Sequence, residues 1–148
     1  MEIVNKNSLQ VVGFQVTAEW DYLFIEIPHT WNMLFRRFDE IRNKVDNKCM
    51  DISVRKEGKL YTQLICVEVG SLSFLPTGMI GFKFPTKKYI SATHKGTFIG
   101  IAESYEKMIS WADENGYKPG DFKIDYGYFP KEKEPIEHTL YLALNKKP

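Results

Sequence analysis

The order of apolar segments in this chain repeats, and that repeat constrains its fold more than any single motif. Residues 9–18 (LQVVGFQVTA) are β-branched and aromatic-rich, the pattern of a strand. Trp31, Leu34, Phe35, Phe38, Ile41 and Val45 then recur at spacings of three and four. Arg36, Arg37, Asp39, Glu40 and Arg42 fall mostly between them, which predicts an amphipathic helix opened by Pro28 and Thr30. Residues 51–54 and 60–69 read as two strands about a turn at 56–59. After a loop at 71–77 the same order returns. Residues 79–84 and 89–93 give strand pattern broken at Pro85, and Thr97 stands where it can cap a second helix. Phe98, Ile101, Tyr105, Met108, Ile109 and Ala112 mark that helix's buried face; Gly116 suits its left-handed end and Pro119 bars continuation. Residues 122–129 and 136–144 close the chain as strands about a charged turn at 131–134.

The expected fold is therefore α+β, a single domain over 1–148 built from tandem βαββ repeats. Its two pseudo-symmetric halves, about 9–70 and 78–146, share a mainly antiparallel sheet with two long helices and a central cleft. Each half offers one helix to one sheet face, which leaves the other face open or cupped. A cupped, aromatic-rich surface between two such halves is a natural ligand site.

Composition excludes several classes. A chain of 148 residues, 43% hydrophobic and 26% charged, buries a core without metal or disulfide support. Lysine and arginine number 20 against 19 acids, so the basic excess that phosphate binding requires is missing, and no direct nucleic-acid contact is expected. Cys49 and Cys66 match no zinc spacing and read as reduced, mostly buried thiols. The N-terminus lacks the basic start and apolar run of a signal peptide, and no apolar run approaches the roughly 20 residues of a membrane helix. A cytoplasmic protein is the expectation, with no membrane contact and no cofactor or metal.

Catalytic signatures are absent: no GxSxG, HExxH, GxGxxG or GxxxxGK. His94, at a strand-to-helix junction, reads as a turn-capping histidine before it reads as a general base. His138 alternates with Glu137 on a strand, so the two point to opposite faces. Cys66 sits inside an apolar run and reads as inert. Glu68, Asp125 and Glu137 fall within strands, where a charge signals either a solvated face or a functional one. Trp31, Tyr61, Tyr105, Tyr126, Tyr128 and Tyr141 are the aromatic cleft candidates; Phe35, Phe38, Phe98 and Phe122 sit on apolar faces. A carboxylate beside such rings suits a flat cation. The ligand-binding set drawn from these residues is Trp31, Phe35, Tyr61, Glu68, Tyr105, Asp125, Tyr126, Glu137, Thr139 and Tyr141.

Residues 76–129 resemble the GyrI-like effector-binding family, the module attached to many AraC-type and MerR-type regulators and also found alone. The matching features are Gly78-Met79, Phe84-Pro85 with Tyr89, His94-Lys95-Gly96, Ser104-Tyr105, Trp111, Gly116-Tyr117 and Asp121-Phe122, with Ile27-Pro28 and Trp31 in the first half. The resemblance spans about 9–144 and implies a tandem βαββ fold whose cleft accepts amphipathic, often cationic, molecules. It departs from the family at the final strand, where E-x-Y-x-P becomes Thr139-Leu140-Tyr141-Leu142-Ala143, and at Asp121-Phe122-Lys123. Glu137, on the face of Thr139 and Tyr141, is the candidate replacement for the missing glutamate. With the first strand near Leu9, the standalone form without a helix-turn-helix is expected. Small-molecule sensing or sequestration leads; a protein-interaction inhibitor of gyrase-directed type and a cleft-based hydrolase are the alternatives.

Overall fold

The computed structural model describes residues 1–145, and among them alternation and periodicity resolve into eight strands and two helices. They are β1 (Glu2–Lys6), β2 (Leu9–Glu19), α1 (Trp20–Arg36), β3 (Lys44–Glu57), β4 (Leu60–Val69), β5 (Ile80–Phe84), β6 (Lys87–Gly96), α2 (Ile101–Glu114), β7 (Lys118–Tyr128) and β8 (Ile136–Asn145), with a 3-10 turn at Phe38–Glu40. All eight strands join one antiparallel sheet in the order β1-β6-β8-β7-β3-β4-β2-β5. Read outward from its centre, β7 mirrors β3, β8 mirrors β4, β6 mirrors β2 and β1 mirrors β5. The βαββ repeat is thus a spatial pseudo-two-fold whose axis passes between β3 and β7. The expected boundary at 146 lies just outside the described residues.

The sheet also runs into itself. Lys6 faces Lys87 where β1 meets β6, and Leu9 faces Phe84 where β2 meets β5. The register continues unbroken across the short links at 7–8 and 85–86, so the two outermost pairs are one bent ribbon. Of the two forms expected for the face without helices, open or cupped, the cupped one is found. The side of the sheet away from the helices is enclosed around Leu9, Val11, Met50, Ile52, Leu64, Cys66, Phe84, Tyr89, Phe122, Ile124 and Ala143. Burying apolar faces from both halves against each other removes them from water at ~25 cal/mol per Å². The outer face carries one helix per half: Leu34 of α1 packs with Val12, Cys49, Ile65 and Val67, and Met108 and Ala112 of α2 pack with Ile90, Leu140 and Leu142.

α1 departs most from its sequence reading. It begins at Trp20, carries Pro28 in its interior and stops at Arg36, leaving Ile41 in a connection and Val45 in β3. Pro28 has no N–H for the Phe24 carbonyl, but it lies on the exposed side, where water can serve that group. The first two turns escape periodicity because they are apolar on several sides at once: Trp20, Tyr22, Phe24 and Ile25 are all exposed. The stop is built by charge. Arg37 donates to Glu40 at 2.8 and 2.9 Å and to the Thr77 carbonyl at 2.7 Å, while Lys44 Nζ caps the Phe38 and Ile41 carbonyls. β1 has no counterpart in the sequence reading, and β3 extends well beyond 51–54 at both ends. Thr97 accepts the Gly100 N–H at 3.0 Å, one residue ahead of α2, so it shapes the approach and Phe98 precedes the helix. No helix among the described residues is long and apolar enough to cross a membrane.

Candidate ligand-binding site

β7 supplies aromatic groups to both sides of the sheet through one irregularity. Cys49 faces Tyr128 and Met50 faces Tyr126, so Gly127, at φ 139°, is an extra residue in the ladder. Simple alternation would put Tyr126 and Tyr128 on one face. The glycine bulge instead sends Tyr126 to the enclosed face and Tyr128 to the helical face.

On the enclosed side the packing stops short of complete. A hollow of about 270 Å³ remains, lined by Lys6, Leu9, Asp46, Met50, Glu68, Ile124, Tyr126 and Tyr141. Leu9, Met50 and Ile124 form an apolar floor continuous with the core. The Tyr126 hydroxyl donates to Asp46 at 2.5 Å, and burial together with that carboxylate holds the phenol well above its ordinary pKa. Lys6 Nζ stands 4.3 Å from the centre of the Tyr141 ring. Two carboxylates, two phenol rings and one ammonium thus converge from both halves, an arrangement whose chemistry suits positive charge and aromatic or apolar bulk.

The helical face carries a second cluster, on the pseudo-axis. Asp51 and Asp125 face each other across β3 and β7. Burial first, and then the Asp125 charge, push Asp51 up to about 8 against the lowering bond from Gln63 Nε2 at 2.9 Å. Asp125 accepts from the Tyr128 hydroxyl at 2.6 Å and from His138 Nδ1 at 2.7 Å, and His138 Nε2 donates to Glu132 at 2.8 Å. A ring donating from both nitrogens is an imidazolium. Its burial opposes the charge, but the bonds and charges of Asp125 and Glu132 prevail and raise the His138 pKa. Trp31 stacks on Tyr128 at 4.3 Å and Phe98 lies beyond at 6.2 Å, so rings from both halves roof the ion cluster.

Of the ten sequence-selected residues, the fold gathers Glu68, Tyr126 and Tyr141 at the hollow. Trp31 and Asp125 belong to the helical-face cluster. Phe35 packs beside Trp31 at 5.2 Å, and the Tyr105 hydroxyl donates to the Ile124 carbonyl at 2.9 Å. Tyr61 sits near the β3–β4 turn against Trp20. Glu137 is exposed and pairs with Lys95 at 3.4 Å, away from the hollow, and Thr139 lies opposite Tyr126 in the β7–β8 ladder. Lys6, Asp46, Asp51 and Glu132 were not singled out by sequence reasoning. The glycine between Tyr126 and Tyr128 is the one signal that could have separated the two faces.

His94 and the two thiols are held in structural roles. His94 donates from Nε2 to the Thr97 carbonyl at 2.8 Å and accepts the Ser104 hydroxyl at Nδ1, 2.6 Å, as the turn-capping reading expected. Cys49 and Cys66 are buried free thiols; burial pushes Cys49 up to about 12 and Cys66 well above its usual value. Both are poor nucleophiles at neutral pH.

Known proteins share the fold and part of the sequence. The chain is 28% identical over 147 residues to the transcriptional regulator BrlR of Pseudomonas aeruginosa, a match covering 96% of this chain and 53% of that protein, so it spans about half the length of that relative. The structure of SAV2435 bound to tetraphenylphosphonium shares the fold with a TM-score of 0.74 at 11% identity, covering 97% of this chain and 93% of that one. The EcmrR–DNA complex matches with a TM-score of 0.71 at 13% identity, over 99% of this chain and 57% of the EcmrR chain. The model of the integron-associated effector binding protein family, Cass2, matches residues 2–144. The chain, with its mirrored βαββ halves, therefore belongs to the Cass2 family of integron-associated effector binding proteins.

Proposed function

We propose that this protein binds a small organic cation with an aromatic or apolar body in the hollow between its halves, and that holding this molecule, as sensor or sequestering module, is its task. The observation that carries the reading is the convergence of Glu68 and Asp46 with the Tyr126 and Tyr141 rings around about 270 Å³ of space. A carboxylate supplies the charge and the phenol faces supply cation–π attraction, each worth more in a half-desolvated recess than at an open surface. Lys6 already occupies the Tyr141 ring as an internal cation, so an arriving ligand takes the place of that ammonium. The hollow lies just below the ~300–1,000 Å³ usual for ligand pockets, and displacement of Lys6 enlarges it.

The fold shared with a protein captured with tetraphenylphosphonium supports the same chemistry, since that ion is a cation wrapped in aromatic rings. The likeness to about half of BrlR and of EcmrR supports a regulatory setting in which the ligand is read by this module and DNA by another element. With Lys plus Arg almost balanced by acids, this chain itself has no electrostatic footprint for nucleic acid.

The test is calorimetry and thermal unfolding with tetraphenylphosphonium and the smaller benzyltrimethylammonium. Binding raises the melting temperature by linkage. Glu68→Gln weakens binding by about tenfold or more, and Lys6→Met, which removes a competing cation, strengthens it. A flat melting curve at saturating probe, or Glu68→Gln binding as well as the parent, refutes the assignment.

A further inference from the structure

The outer edge of β2 is open over half its length. β5 pairs only with residues 9–13, so residues 14–19 are bonded to β4 alone. Beside this edge runs a groove of about 590 Å³ between β2 and α1, lined by Phe14, Val16 and Ala18 on one wall and Tyr22, His29 and Met33 on the other. Natural edges are usually guarded by lysine, proline or a bulge. The equivalent edge in the second half, residues 92–96 of β6, carries exposed Lys95 and ends at Gly96 with φ 141°. Residues 14–18 carry no charge and no proline, and the single charge on the open edge, Glu19, stands at its very end. A strand edge free of charge up to its last residue, beside a groove lined by both apolar and polar side chains, is a template for another strand.

We propose that a second copy of this chain occupies it, through β2 paired antiparallel with its counterpart and α1 packed antiparallel beside its counterpart. The reason lies in self-complementarity. α1 follows β2 without a loop and doubles back along it, since Arg37, just past its end, reaches the Phe14 ring. The middle of the open edge, between Val16 and Thr17, therefore lies alongside the middle of the groove wall, between Ile27 and Pro28. One two-fold axis through both midpoints sets Glu26 against the partner copy's His29 and Tyr22 against the partner copy's Met33. That gives two acid–histidine contacts and two apolar contacts in an isologous interface. Strand edges pair at about 4.8 Å, and a helix lying over β2 and β4 then meets its mate at about 10 Å, the spacing at which helices pack. Among the described residues the Glu26 carboxylate and the His29 ring have no partner within the chain, so both are available.

Sedimentation velocity and light scattering on the full chain test this, with amide exchange as a second reading. The parent forms a dimer, and its edge amides within residues 14–19 slow their exchange as concentration rises. His29→Glu sets like charges together and Glu26→Lys sets cation against histidine; each weakens the dimer by about tenfold or more, and the double variant, with opposite charges restored, recovers it to within about threefold. A parent that stays monomeric at high concentration overturns the proposal, as does a double variant no better than either single one. So do edge amides indifferent to concentration, or a monomer whose groove instead captures a peptide of another protein.

Discussion

Removal of Asp125 separates a built ion cluster from a decorative one. Asp125 is 6% exposed and accepts from both His138 and Tyr128. In Asp125→Ala the buried imidazolium keeps only Glu132, and the Tyr128 hydroxyl loses its acceptor beneath Trp31. Breaking a buried ion pair from one side costs about 3–5 kcal/mol, and an orphaned hydroxyl about 1–3 kcal/mol. Both losses come from one residue, so they overlap, and about 4 kcal/mol is expected. Asp125→Asn keeps an acceptor for His138 Nδ1 and a polar neighbour for Tyr128; its cost is about 1–2 kcal/mol. The pH dependence follows from the sign of the shift. His138 has a folded pKa raised above its ordinary 6.5, so its contribution is complete below that value and is lost as pH rises through the folded pKa. Urea unfolding of parent and both variants across this window, with His138 followed by NMR, provides the measurement. An alanine variant within about 0.5 kcal/mol of the parent, or a His138 titrating at or below its free value, refutes the reasoning.

Asp51 drives stability in the same direction for a different reason: its carboxyl, raised from 3.8 to about 8, favours folding below 3.8 and loses that advantage as pH climbs through 8. Asp51→Asn, which retains an acceptor for Gln63, is therefore expected to exceed the parent in stability above pH 8, read by denaturant midpoints on either side of that value. Gly13→Ala places a methyl 2.1 Å from the Ile65 carbonyl oxygen and 2.6 Å from the Cys66 Cα, both backbone of β4, so the strands must part; a loss above about 3 kcal/mol by thermal unfolding is expected. Met108→Ala, at a position fully buried between α2 and the sheet, is expected to cost about 2–5 kcal/mol, with a midpoint unchanged from the parent as the contrary result.

How far the sequence reached is clearest on β7. Its existence, the closing hairpin with β8, β4 at residues 60–69 and the buried face of α2 through Met108 and Ala112 were all legible, because each depends on a local period. The face each tyrosine takes was not, because one glycine inserted in the ladder reverses alternation downstream of it. The hollow was legible only in part for a related reason: Glu68 announced itself as a charge in a strand, whereas Asp46 and Lys6 became neighbours of it only through strand order and ribbon closure, which no local period encodes. The same topology explains why the two halves cannot be chemically alike. A two-fold axis between β3 and β7 brings Asp51 against Asp125, and like charges at a buried axis exclude each other unless their surroundings differ. Here Asp125 is given a cation and Asp51 is pushed toward its neutral form. On the opposite face Tyr126 and Tyr141 come from the second half while Asp46 and Glu68 come from the first. On the proposed reading, a hollow that takes its rings from one repeat and its acids from the other favours one orientation of a bound cation, so divergence between the halves, rather than their symmetry, would supply selectivity.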